Sequence, residues 1–272
     1  MVSTQRPAVA LVIAGSEATG GAGIQVDLKT FHQLGVYGMG ALTCIVSFDP
    51  KDNWNHRFVP VEPQVIRDQI EVCEAAHNVD TVKIGMLGTI PTIEAVAEGL
   101  KAQKWKNIVL DPVLICKGQE AGQAHDTDEA LKATILPLAT VVTPNVFEAS
   151  ALSGIDIQTE ADLAEAAKKI GELGPSYVVA KGGVELPGSE AVDVLWDGEK
   201  ITRYAVPKIG DERVGGAGCT LAAAITAELA KGTDIHEAVR IAKELVTYGI
   251  EGRMATNHTY DTVWQRAGLG AF

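Results

Sequence analysis

Residues 9–29 read VALVIA-GSEATGGAG-IQVDLK: six apolar residues, a glycine-rich turn, and the start of an amphipathic pattern. An unbroken apolar run of that length fits a strand buried on both faces. Apolar positions over 24–34 recur with the helical period, so the turn passes directly into a helix. Strand, tight turn and helix make half of a β-α-β unit, which closes only on a parallel strand. The rest of the chain repeats that logic. Short apolar strands are predicted at 41–46, 81–84, 108–110, 140–142 and 177–180. Helices are predicted at 63–76, 92–103, 126–134, 147–152, 160–173, 219–231 and 235–249. Asp197-Gly198 between the apolar runs 192–196 and 201–205 signals a hairpin. The expectation is an α/β fold, a three-layer α/β/α sandwich around a mostly parallel sheet. With no internal repeat or low-complexity linker, residues 1–272 read as one domain. Ligand is expected beyond the carboxyl ends of the strands.

Composition narrows the function. Apolar residues are 46% of the 272, enough for a substantial core, and 35 acidic against 23 basic residues leave a net charge of −12. No basic block is present, which argues against nucleic acid or an anionic membrane as partner. The four cysteines, Cys44, Cys73, Cys116 and Cys219, lie far apart without metal-type spacing. The opening MVSTQRP lacks the apolar core of a signal peptide, and no apolar run is long enough to span a membrane. A soluble cytoplasmic protein with free thiols is expected, in which Cys44 and Cys73 read as packing residues.

A second glycine-rich turn, VGGAGCTLAAAITAELAK at 214–231, leads into an Ala-rich helix with Cys219 at the junction. Amides fanned around Gly216, Ala217, Gly218 and Cys219, with the positive end of a helix dipole, suit a phosphate. The same position is expected to lower the Cys219 pKa. Together these suggest phosphoryl transfer to a hydroxyl, although the run is also what a turn before a buried helix looks like. In the first turn the spacing is wrong for Gly-x-Gly-x-x-Gly, which excludes a dinucleotide fingerprint. Its glycines instead admit a small flat substrate, and Asp27 can accept a hydrogen bond from it, or simply favour the helix start.

Thr143-Pro-Asn145-Val-Phe-Glu148 follows a strand; Asn145 is a good N-cap and Glu148 can complete a capping box. A capping carboxylate can also reach Mg²⁺ through water. Asp111 ends a strand, where a carboxylate faces phosphates and metal. Lys117 and Gly118 open a polar stretch, 118–127, that reads as a mobile, water-excluding loop. Lys181-Gly-Gly183 also follows a strand, placing a cation and two small residues for nucleotide.

In this order and at these intervals, the 15–31 turn, Lys83-Ile-Gly-Met-Leu-Gly88, Asp111-Pro-Val, Thr143-Pro-Asn-x-x-Glu148, Lys181-Gly-Gly and Gly216-Ala-Gly-Cys219-Thr resemble the ribokinase superfamily. The branch resembled contains the hydroxymethylpyrimidine/phosphomethylpyrimidine kinases and the related bacterial pyridoxal kinases, over residues 8–252. The resemblance implies a ribokinase-like fold, ATP and Mg²⁺, and a homodimer. Pyrimidine kinases carry a Gln where this chain has Phe48, and a ring cannot reproduce the hydrogen bonds of that Gln. Phe48, the Ala217 in the second turn, Cys116 and Trp54-Asn-His56 resemble the pyridoxal kinases instead.

The implied reaction is phosphorylation of pyridoxal at its 5′-hydroxymethyl group. In it the 216–219 amides hold the migrating phosphoryl group and Cys219 takes the hydroxyl proton. Asp111 and Glu148 serve the metal; Lys117, Asn145, Lys181, Gly183, Gly216 and Gly218, with Asp111, meet the nucleotide. Gly23, Asp27, Phe48, His56, Met86, Val113 and Cys116 meet the vitamer. Cys219 or Cys116 can add to the aldehyde as a hemithioacetal. No role is assigned to His32, His77, His125, His236 or His258. The alternatives are a hydroxymethylpyrimidine kinase, a vitamer-binding protein on a retired kinase fold, and a sugar kinase, against which Cys219 stands in place of the customary Asp.

Overall fold

The computed structural model describes residues 6–114 and 121–267. Nine strands form one sheet: β1 (Val9–Glu17), β2 (Tyr37–Asp49), β3 (Asn55–Pro60), β4 (Thr81–Ile84), β5 (Asn107–Leu110), β6 (Val141–Val142), β7 (Tyr177–Lys181), β8 (Glu190–Trp196) and β9 (Ile201–Pro207), in the order 3-2-1-4-5-6-7-8-9. Neighbours from β2 to β7 run parallel, while β3 at one edge and β8–β9 at the other are antiparallel. The helices are α1 (Gly23–Gln33), α2 (Pro63–His77), α3 (Ile90–Ala102), α4 (Ala121–Thr134), α5 (Val146–Ser153), α6 (Glu160–Gly171), α7 (Ala217–Lys231) and α8 (Ile235–Glu251).

Two apolar layers follow from the strand period of two. Along β1, Leu11 and Ile13 enter a core built with α2, α3, α5 and α6, while Ala10, Val12 and Ala14 face α1, α7 and α8. β5 and β7 alternate in the same way, so the expected three-layer arrangement is present. α7 is the most enclosed helix; its run of small residues, Ala222 to Ala224, lets it press against α1 and the sheet.

Local signals predicted most elements well, with two differences. The sequence carries little sign of the edge strand β3, because NHRFVP alternates weakly: only His56 and Phe58 are half-buried, on one face, while Asn55, Arg57 and Val59 on the other are exposed. α4 begins at Ala121, so residues 121–127 of the expected loop are helical; the loop's first residues lie outside the described part of the chain.

The chain passes from β1 to β2 on one side and returns to β4 on the other. Order reverses at β1, and the crevice beyond its carboxyl end is where such sheets hold ligand. The Gly-rich turns before α1 and α7 both open there.

Candidate active site

The first turn is organised by one carboxylate. Glu17, at the end of β1, accepts from Thr19 N (2.6 Å), Thr19 Oγ1 (2.7 Å) and Gly21 N (2.9 Å). Gly23 takes a positive φ of 64° to start α1, and a Cβ there would collide with the Gly15 carbonyl. Its N–H lies near enough to the Cys219 sulfur to favour the thiolate. That sulfur therefore sits at the N-termini of two helices, α1 and α7.

The second turn is held from both sides. Gly216, the N-cap of α7, lies at φ 79°, and a Cβ there would meet the Gly21 carbonyl oxygen. Gly215 N donates to Asp261 O (2.8 Å) and Gly215 O accepts from Val263 N (2.9 Å), so the C-terminal segment clamps the turn. Ala217 N donates to Val214 O at 3.4 Å and Thr220 N to Gly216 O at 2.8 Å, whereas the Gly218 and Cys219 amides of the first turn have no carbonyl partner within their own helix, which leaves them for an anion.

Two buried ion pairs flank Cys219. Lys83 Nζ and Asp27 Oδ2 are 2.9 Å apart with both side chains fully buried. Burial pushes Asp27 up to about 6 despite Lys83, and its Oδ1 is buried without a partner. Asp27, expected to meet the substrate, is fully buried and pairs with Lys83. Lys83 is itself a residue whose role went unassigned from sequence. A lysine inside the fully buried strand TVKI was the available signal, since such residues are buried only when paired.

The other pair is Lys181 Nζ and Asp111 Oδ1, 3.0 Å apart, with Thr143 Oγ1 also donating to that oxygen at 3.2 Å. Burial pushes Asp111 up, but Lys181, Lys83 and Thr143 together hold it below the ordinary value. Glu148 lies beside them, 8% exposed, in the expected capping box: its Oε2 accepts from Asn145 N at 2.8 Å while Asn145 Oδ1 accepts from Glu148 N at 2.9 Å. Burial raises Glu148 to about 7, opposed by Lys181 and reinforced by Asp111. The Lys181 ammonium also lies under the second turn, 3.2 Å from where a Gly218 Cβ would be.

Cys219 departs from the sequence expectation. Burial pushes its thiol up to about 11; Lys83 and the Gly23 N–H pull down, while Asp111 and Asp27 push up. Desolvation and two carboxylates outweigh the helix ends, so the resting group is a thiol rather than a thiolate.

Two cavities open on either side of the second turn. One, of about 240 Å³, is lined by Asn145, Lys181, Gly183, Gly218 and, deeper, the ion pair of Lys243 Nζ with Asp193 Oδ2 at 2.7 Å. The other, of about 510 Å³, lies against Gly216 and is walled by Phe48, Trp54, His258 and Tyr260. The rings touch: Phe48 to His56 at 4.7 Å, Phe48 and Trp54 to His258 at 5.0 and 4.9 Å, and His258 to Tyr260 at 4.5 Å. His258 and Tyr260 had no legible signal, being some 200 residues from the hairpin they meet. Met86 and Val113 follow β4 and β5 and are half-buried. Cys116 and Lys117 lie outside the described residues.

The match to phosphomethylpyrimidine kinase spans residues 17–264. The chain belongs to the phosphomethylpyrimidine kinase family. Relatives in and around this family preserve the whole architecture. A pyridoxine kinase of Bacillus subtilis is 48% identical over 249 residues, 91% of this chain and 92% of its own length. A hydroxymethylpyrimidine/phosphomethylpyrimidine kinase of the same organism is 36% identical over 256 residues, covering 92% and 94%. The crystal structure of an ADP complex of Bacillus subtilis pyridoxal kinase has a TM-score of 0.91 at 46% identity, covering 96% of this chain and 98% of that one. Staphylococcus aureus pyridoxal kinase in complex with AMP-PCP and pyridoxal has a TM-score of 0.89 at 37% identity, covering 97% and 96%. This phosphomethylpyrimidine kinase family member thus shares its ribokinase-like fold with the two pyridoxal kinase structures.

Proposed function

We propose that this chain is an ATP-dependent kinase that phosphorylates pyridoxal at its 5′-hydroxymethyl group. One observation carries the reading: the second turn, Val214 to Gly218, stands between a lysine-lined cleft and a cavity walled by aromatic rings, with Cys219 next in the chain. A triphosphate entering the first and a flat heteroaromatic alcohol entering the second would meet at residues 216–219. Relatives named for pyridoxine and pyridoxal, at 48% and 46% identity, support the same assignment.

Phosphoryl transfer needs positioning and charge neutralisation more than covalent chemistry. The hydroxyl oxygen bonds to the γ-phosphorus as its bond to the β-phosphate bridge breaks, releasing ADP. Amides of Gly216, Ala217, Gly218 and Cys219 stabilise the charge on the migrating group. Cys219, a thiol at rest, first releases its own proton to solvent and as the thiolate then takes the hydroxyl proton; Lys83 and the Gly23 N–H are the groups that favour that form. Lys181 and Asn145 orient the phosphates, and the Gly183 backbone leaves room for nucleotide; Lys117 is assigned to the same side by resemblance alone.

Asp111 and Glu148 fit Mg²⁺. Glu148 is a buried carboxylate raised to about 7 beside a second carboxylate, an arrangement a cation relieves. Among the described residues no cluster of three or more His, Cys, Asp or Glu could hold a metal alone. Mg²⁺ suits that: it takes one or two carboxylates and completes its shell with water and phosphate oxygens. Bound there, it would supply charge neutralisation at the phosphates.

Phe48 separates pyridoxal from hydroxymethylpyrimidine, the second reading, which the family match favours. Its ring packs in the aromatic wall with His56 and His258 and offers no hydrogen bond to an aminopyrimidine. His56 and Phe48 then contact the vitamer, with Met86 and Val113 as its apolar floor. Turnover of pyridoxal, pyridoxine and hydroxymethylpyrimidine with ATP and Mg²⁺, measured side by side, tests this. Preference for hydroxymethylpyrimidine would overturn it.

The continuous sheet supports one domain over residues 1–272. A homodimer is supported by exposed Ile45 and Val59, paired across β2 and β3, with Val72 of α2 also exposed. Free Cys44, Cys73 and Cys219 support residence in the reducing cytoplasm.

A further inference from the structure

Arg213 and Val214, just before the second turn, line both cavities. A phosphoryl group leaving the lysine-lined cleft for the aromatic one has to pass this stretch. Three cations line the cleft. Lys181 is buried against Asp111 and Lys243 against Asp193, and neither can leave without stranding a buried carboxylate. Arg213 differs. Its side chain is 70% exposed and bonds Glu185 Oε1 through Nη2 at 3.0 Å, with Glu185 also on the wall of the cleft. An exposed pair of this kind is screened by water and easily exchanged. Glu185 is near enough to help push Glu148 up, so its negative charge faces the place where phosphates are expected.

The geometry points to Arg213 as a catalytic residue of the transfer: on entry of a nucleoside triphosphate, its guanidinium leaves Glu185 and grips the γ-phosphoryl group. This deepens the kinase reading and rests on it. The reaction balances as already written, since Arg213 neither gains nor loses a proton; it adds two parallel N–H donors to an anion whose charge spreads over three oxygens. Glu185 is its resting counter-ion. It holds the guanidinium at the boundary and competes with the triphosphate for it. ADP, lacking the γ-group, has little to offer Arg213.

Full-length wild type, Arg213→Ala, Arg213→Lys and Glu185→Gln are compared in two assays: turnover of pyridoxal with ATP, and calorimetric binding of ADP and of the non-transferable analogue AMP-PCP. Arg213→Ala is expected to lower kcat roughly 10²–10³-fold, the scale of losing one donor to a developing charge. It should weaken AMP-PCP by about tenfold or more while leaving ADP nearly unchanged, because only the triphosphate reaches the guanidinium. Arg213→Lys should recover part of the loss, lacking the planar fork. Glu185→Gln should tighten AMP-PCP by removing the competitor.

Wild-type turnover in Arg213→Ala would overturn the role. So would equal weakening of ADP and AMP-PCP, which marks a damaged cleft, or the same loss in Glu185→Gln, which marks a pair that only shapes the loop. A wild-type chain that binds no nucleotide and phosphorylates no vitamer overturns the kinase reading, and this role with it.

Discussion

Replacing Lys83 with Met probes the most deeply buried charge beside Cys219. Lys83 and Asp27 are fully buried and 2.9 Å apart, and Asp27 reaches only about 6 because Lys83 opposes its desolvation. Lys83→Met keeps the length of the side chain and leaves Asp27 alone in the interior. Breaking one half of a buried pair costs about 3–5 kcal/mol. An unfolding entropy of about 2.1 cal/mol/K per residue puts a chain of 272 residues near 0.6 kcal/mol/K, so the melting temperature should fall by roughly 5–9 °C. The pH dependence has a definite sign. A carboxyl whose folded pKa is raised binds its proton more tightly in the folded chain, favouring folding below the unfolded value of 3.8 and opposing it as pH rises through about 6. Without Lys83 that pKa climbs further, and the penalty should be larger at pH 8 than at pH 5. Thermal unfolding by circular dichroism at both pH values, for wild type, Lys83→Met and Asp27→Leu/Lys83→Met, measures this. The double variant should regain most of the loss, because no charge is left unpaired. Wild-type stability in Lys83→Met, or a double variant less stable than the single one, would refute the reasoning.

Three other outcomes are expected. Cys219→Ala should lower kcat by about 10²–10⁴, the scale of a lost acid/base group; with the thiol at about 11, wild-type alkylation by iodoacetamide should be slow at neutral pH and rise steeply towards pH 10. Glu148, raised to about 7, must be ionised to serve a cation, so the Mg²⁺ concentration needed for half-maximal turnover should rise as pH falls from 8 to 6, and Glu148→Gln should abolish that dependence. Gly216→Ala should destabilise the chain by about 1–3 kcal/mol through the positive φ alone, and more through the Gly21 carbonyl, as read by urea unfolding.

Much of this protein was legible one segment at a time. Unbroken apolar runs specified strands covered on both faces, and Asn145 with Glu148 announced a capping box because its partners are three residues apart. The two glycine-rich turns were likewise legible, since the positive φ of Gly23 and of Gly216 demands glycine there. What depended on residues distant in the chain was not legible. The pairing of Asp27 with Lys83, 56 residues away, is one example. β3 has only Phe58 and His56 on its half-buried face, too short a pattern to reveal it, and pairs along the edge that β2 offers.

The Cys219 thiol divides the two kinds of knowledge. Sequence alone put it at a helix N-terminus, where local dipoles favour a thiolate. Tertiary structure decided the opposite resting state, because desolvation and the fields of Asp111 and Asp27 are summed over the surrounding volume. Periodicity and turns are properties of neighbours along the chain; burial and charge balance are properties of neighbours in space, and only folding assembles those.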